Sequence, residues 1–164
     1  MQSKTGEGES HQRFIDQAVR LAADSARSGR GGPFGALVVR DGEVIGQGCN
    51  GVTSALDPTA HAEVVAIRNA CRLVGDFRLD GAVIYASCMP CPMCYAAIYW
   101  ARIERVYYAA SGELAAAAGF DDLVIAASLR QAPELRAVPC RRLPADDAEE
   151  PFRIWRELAE RMEY

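Results

Sequence analysis

The two thiols of Cys91 and Cys94, with His61 and Glu63 well upstream of them, constrain this chain more than any other feature. The stretch Ser87-Cys88-Met89-Pro90-Cys91-Pro92-Met93-Cys94 sets two cysteines three positions apart. In the first turn of a helix that spacing points both side chains from one face. His61-Ala62-Glu63, at the start of a second helix, adds an imidazole and a carboxylate. One histidine and two thiolates make three ligands for a single Zn²⁺ per chain, with the fourth position left to water. The fold must then bring two helix starts together.

Two other readings of the cysteine pair compete with this one. A Cys-x-x-Cys after a strand also serves as a thioredoxin-like redox pair, and a structural zinc site uses four protein ligands. A redox pair has no use for His61 and Glu63. The other histidine, His11, lies beside the polar N-terminal stretch. Cys88 is the remaining fourth-ligand candidate, and its plain reading is a buried free cysteine in the turn before the helix.

The order His-x-Glu, a gap, then Pro-Cys-x-x-Cys is that of zinc centres which remove an exocyclic amine from a heterocycle. Zinc lowers the pKa of a bound water from 15.7 to about 7, and the helix N-termini favour thiolate ligands. The ring nitrogen and then the departing amine must each gain a proton, and a single carboxylate, Glu63, can collect and redeliver them. Asn50 has two readings of equal weight: a turn residue beside Gly51, or an amide holding the polar edge of a planar ring. Phe34 and Trp100 read as core aromatics or as walls against such a ring. Asp121-Asp122 reads as a turn and helix cap after Gly119.

The 164 residues suit one domain over 11–164, after a Gly-, Ser- and Glu-rich stretch over 1–10 that reads as disordered. A net charge of −4, with no basic run longer than Arg141-Arg142, argues against a protein held to nucleic acid through its phosphates. Six cysteines without an apolar N-terminal run point to a reducing cytoplasm. Gly81 to Ala101 carries no charge over a membrane-like length. Its prolines and cysteines divide it into strand, turn and helix, so a buried core segment is expected and no membrane span.

Helical spacing runs from His11 to Ser28, ended by Gly29 and Gly31-Gly32-Pro33. The glycines do not read as a phosphate cradle, because a strand from Phe34 to Arg40 follows them where such a loop opens into a helix. Asp41-Gly42 predicts a hairpin turn to a strand over Glu43 to Cys49. Asp57-Pro58-Thr59 reads as the entry of a helix burying Val64, Ile67, Cys71 and Val74 and closed by Gly75. A strand over Ala82 to Ala86, a helix opened by Pro90 and running to about Ala101, and a strand over Arg105 to Ala109 follow. Residues 111–132 predict two helical pieces around Gly119-Phe120-Asp121-Asp122, long enough for a crossover to a fifth strand near Leu135 to Arg141. Pro151 opens a last helix with an apolar face of Phe152, Trp155, Leu158, Ala159 and Met162. The pattern is a single α/β layer structure.

Taken together, these residues resemble the cytidine deaminase-like superfamily, and within it the small bacterial guanine deaminases. The resemblance runs through Gly31-Gly-Pro-Phe-Gly35, Asp57-Pro-Thr-Ala-His-Ala-Glu63, Pro90-Cys-Pro-Met-Cys94, Ile98-Tyr-Trp-Ala-Arg102 and Gly119-Phe-Asp-Asp122 to Glu163-Tyr164. It implies a three-layer α/β fold whose mixed five-stranded sheet has helices on both faces. It further implies zinc on His61, Cys91 and Cys94, Glu63 as proton shuttle, Asn50 as a base contact and an auxiliary role for Asp122. The activity implied is conversion of guanine to xanthine and ammonia. Cytosine, a nucleoside or an aminated triazine are alternatives; a tRNA adenosine deaminase or a non-catalytic zinc module are less favoured. Such enzymes are usually homodimers, and Tyr164 would help close a pocket, its own or a partner's. Met89 departs from the pattern, standing where these enzymes commonly carry glutamate.

Overall fold

In the computed structural model, which describes residues 4–164, strand β1 (Gly35–Arg40) is central and almost wholly buried. Strand β2 (Glu43–Cys49) pairs antiparallel along one edge of it and β3 (Val83–Cys88) antiparallel along the other, while β4 (Arg105–Ala110) pairs parallel to β3. The order is β2-β1-β3-β4. Asp41 and Gly42, both at positive φ, make the hairpin that the sequence predicts.

Side-chain alternation along the inner strands separates two cores. Leu37, Val39 and Tyr85 face helix α1 (Lys4–Ser28), packing with its Phe14 and Ala18. Ala36, Val38 and Ile84 face the opposite way, toward α3 (Ala62–Val74) and α4 (Pro92–Trp100), among Ala66, Ile67, Ala70 and Ile98. Helices therefore cover both faces, giving three layers. Leu37 and Ile84 are fully enclosed, and truncating either to alanine costs about 2–5 kcal/mol. Helix α3 lies directly on β2 because Gly46 and Gly48 face it. A β-carbon on Gly48 would run into the carbonyl of Ala62 and meet the Ala66 nitrogen at 2.6 Å.

The sheet has four strands, which corrects the expected five. The segment assigned to a fifth strand instead begins with a 3-10 turn over Pro133–Leu135 and continues without regular structure and almost entirely exposed. Pro139 lies inside it and has no N–H to give a ladder, and Arg136, Arg141 and Arg142 resist burial beside a neighbouring strand.

Chain contacts divide the molecule into two compact units, Met1–Ala126 and Ala127–Tyr164. The first holds the sheet with α1, a short α2 (Val52–Ala55), α3, α4 and α5 (Gly112–Ala117), and the sixth helix (Leu123–Leu129) begins within it. The second contains α7 (Glu150–Glu157), where Arg153 bridges Glu150 at 2.6 Å and Glu157 at 2.8 Å. Pro151 stands in the first turn of α7, and the aromatic side chains Phe152 and Trp155 are exposed. Of the stretch expected to be disordered, residues 1–3 lie outside the described residues, and helix α1 takes in the backbone from Lys4. No helix among the described residues is long and apolar enough to cross a membrane.

Candidate metal and active site

His61 and Cys91 are the N-cap residues of α3 and α4, each in extended backbone one step before its helix. Both helices start later than the prolines suggested. Asp57 accepts from the backbone and hydroxyl of Thr59 at 2.8 and 2.6 Å, forming a turn that delivers the chain to His61. Pro92, not Pro90, takes the first helical position of α4, where the missing N–H has no intrahelical partner to lose. With Cys91 at the cap, Cys94 falls one turn on, and the two thiols meet at 3.5 Å.

His61 Nδ1 lies 3.6 Å from Cys91 Sγ and 3.5 Å from Cys94 Sγ. Tetrahedral zinc with ordinary Zn–S and Zn–N bonds sets ligand atoms about 3.6–3.8 Å apart, so the three atoms already outline one face of that tetrahedron. Among the described residues they form the cluster of metal-ligating groups suited to one ion. The donor set, one imidazole and two thiols on an open face, fits the expected ion. Cys88 lies outside the triangle, its Sγ directed to the Ser111 carbonyl at 3.5 Å.

The thiols share their protons unevenly. The contact between the two thiols, together with His61, lowers Cys91 well below the ordinary thiol range against the burial that opposes it, while Cys94 is pushed up. The hydrogen bond with Cys91 likewise raises His61. Glu63, only 7% exposed, lies with Oε2 3.5 Å from Cys94 Sγ. Burial raises its carboxyl above the ordinary range, which moves it toward the neutral pH at which a proton shuttle works best. Asp122 is also raised, first by burial and then by the charge of Cys91.

A cavity of about 220 Å³ opens over these groups, lined on its polar side by Asn50, His61, Glu63, Asp121 and Asp122. Phe34, Met89 and Phe120 form apolar wall, with Phe34 and Phe120 meeting edge to face at 5.0 Å. Asn50 Oδ1 accepts from the backbone N–H groups of Gly32 and Val52, both at 3.3 Å. Both partners are donors, so the amide orientation is fixed, and its Nδ2 end is the one able to donate to a bound molecule. Six of the nine residues singled out by sequence and resemblance, Phe34, Asn50, His61, Glu63, Cys91 and Asp122, line this cavity, and Cys94 lies directly beneath it. Trp100, exposed at the end of α4, is not in its lining, and Tyr164 belongs to the second compact unit. Sequence reasoning passed over Phe120, although the glycine before it, at positive φ, signals a turn that can aim the ring.

The family model described as the cytidine and deoxycytidylate deaminase zinc-binding region matches residues 8–110. A guanine deaminase of Bacillus subtilis (strain 168) is 47% identical over 154 residues, 94% of this chain and 99% of that one. An X-ray structure of guanine deaminase from Bacillus subtilis matches with a TM-score of 0.91 over 94% of this chain and 98% of the other. A structure of guanine deaminase from Nitrosomonas europaea matches at 28% identity and a TM-score of 0.63, over 66% and 63% of the two chains. A tRNA-specific adenosine deaminase of Agrobacterium fabrum is 50% identical over 78 residues, 48% of this chain and 51% of that protein.

Proposed function

The chain belongs to the cytidine and deoxycytidylate deaminase zinc-binding family, and from that premise we propose that it hydrolyses guanine to xanthine and ammonia. The observation that carries this reading is the His61-Cys91-Cys94 triangle with Glu63 buried against it, in a chain similar over nearly its whole length to a guanine deaminase.

His61, Cys91 and Cys94 would hold Zn²⁺, whose Lewis acidity makes water nucleophilic near neutral pH. The chain's own groups do the rest. Asn50, its carbonyl engaged by Gly32 and Val52, donates from Nδ2 to an acceptor on the edge of the base. Phe34 lies against the ring and limits the access of bulk water. Glu63 takes the proton of the attacking water, gives it to the ring nitrogen beside the reacting carbon, and then supplies the amine with the proton it needs to leave as ammonia. Asp122, close enough to His61 and Cys91 to feel their charge, acts as an auxiliary polar group in the lining of the same cavity.

The assembly suits a homodimer with exchange of the C-terminal segment. In the second unit, Ala127–Tyr164, Phe152, Ile154, Trp155, Leu158 and Met162 are exposed, the kind of apolar surface that a partner covers. A second copy covering it would bring Tyr164 to a pocket, and Trp100 would serve as a wall only to a ring approached from outside its own cavity. Residues 11–164 then act as one catalytic domain. The unpaired state of all six cysteines supports a cytoplasmic setting.

A panel of guanine, guanosine, cytosine, cytidine and an aminated triazine, scored for ammonia release by the zinc-loaded chain, tests the reading. Guanine is expected to give the highest kcat/KM. Turnover of cytosine or cytidine alone would reject guanine and retain the zinc chemistry.

A further inference from the structure

We propose that Phe120 restricts the site to free bases by closing a side cavity against a sugar attached to the base, an inference that rests on the nucleobase reading above. The cavity over the metal triangle holds about 220 Å³, below the usual 300–1,000 Å³ of ligand pockets and suited to one flat ring system. A second cavity of about 380 Å³ runs from it along Gly29, Gly31, Gly32 and Thr53. Asn50, His61 and Phe120 line both, so they mark the passage between the two. The side cavity is walled by the three glycines with Val52 and Thr53, small residues that leave a volume sufficient for a ribose. A third cavity, apolar and about 460 Å³, also has Phe34 and Phe120 in its wall. The Phe120 ring therefore stands where three spaces meet.

Its position there is imposed by the backbone. The Phe120 N–H donates to the Ala115 carbonyl at 2.9 Å, and its own carbonyl accepts from the Asp122 N–H at 3.2 Å. The edge-to-face contact with Phe34, at an interplanar angle of 88°, sets the plane of the ring. The backbone bonds fix where the ring is attached and the Phe34 contact supports one side of it, so a base bearing a sugar meets the ring at the passage.

The test compares kcat/KM for guanine and guanosine, by ammonia release, in the zinc-loaded wild type and in Phe120→Ala, Phe120→Leu and Phe120→Tyr. Zinc content and Tm establish which variants fold. The wild type is expected to favour guanine strongly, Phe120→Ala to raise the guanosine-to-guanine ratio at least tenfold, Phe120→Leu to fall between, and Phe120→Tyr to restore the wild-type ratio. If Phe120→Ala does not fold, a rise in Phe120→Leu decides the matter. A ratio within twofold of wild type in the smallest variant that folds overturns the inference while leaving guanine deamination intact, because a merely structural ring would depress both substrates together. A wild type that turns over guanosine as readily as guanine overturns it too. Absence of ammonia from either purine in the wild type instead rejects the nucleobase reading, and this inference with it.

Discussion

Gly31 and Asn50 touch through their backbones: a β-carbon on Gly31 would stand inside the carbonyl group of Asn50. The contact holds Asn50 beside the cavity while the next N–H, that of Gly32, fixes its side-chain oxygen. Gly31→Ala must push the two segments apart. The expected result is a tenfold or greater loss in kcat/KM, mainly as a higher KM, with zinc content unchanged and a stability cost of about 1–3 kcal/mol. Steady-state kinetics and metal analysis check it; an unaltered KM would show that Asn50 does not need this support.

Replacing Glu63 by Gln removes the carboxylate while keeping its shape. Loss of a positioned proton carrier should lower kcat by about 10²–10⁴, with one zinc per chain still bound by His61, Cys91 and Cys94. A binding module that does not catalyse would show no ammonia release before the change and no difference after it. Parallel metal analysis and ammonia assays separate the cases.

Removing the metal should abolish activity and lower Tm together. An ion that binds only the folded chain stabilises it by about 4 kcal/mol at a free concentration a thousand times its Kd. Treatment with a chelator, then titration with Zn²⁺ followed calorimetrically, should show Tm and activity returning in step at one ion per chain. Recovery of activity without zinc would reject the site as drawn.

The turn before His61 predicts a dependence on acid. Hydrogen bonds from Thr59, helped by Arg68 at 3.3 Å, hold the Asp57 carboxyl below its ordinary value of 3.8. The folded chain therefore favours the ionised form more than the unfolded chain does. That contribution to stability is complete above the ordinary value and disappears as pH falls through the lowered one. Asp57→Asn should lower Tm at pH 6, and the gap from wild type should narrow by pH 3. An equal gap at both pH values would assign the effect to geometry and not to charge.

Much of the site was legible in the sequence because metal ligands depend on residue type and local spacing. The Cys-x-x-Cys at a helix start, the His-x-Glu at another and the Asp41-Gly42 hairpin each follow from nearest-neighbour geometry. Helix entry was harder to place. Asp57-Pro58 and Pro90 look like starts, but the chain spends those residues on turns that set His61 and Cys91 at the caps. The brief α2 has too few residues for a periodic signal. Leu135 to Arg141 has the apolar character of a strand, yet Pro139 and its arginines leave it unpaired. Phe120 was missed because an aromatic after a glycine carries no pattern of its own; its meeting with Phe34 exists only once α5 has brought two distant segments together.

Because His61 and Cys91 occupy the caps of two different helices, an ion held by them would also clasp the helices together. Backbone amides in the opening turns of α3 and α4 should exchange with deuterium slowly when the clasp is shut and quickly when it is undone. The body of α3 is seated on the sheet by Ala66, Ile67 and Ala70, so the clasp would add its hold at the N-terminal end. Zinc shortage in the cell would then loosen the cavity's floor before the sheet itself gives way.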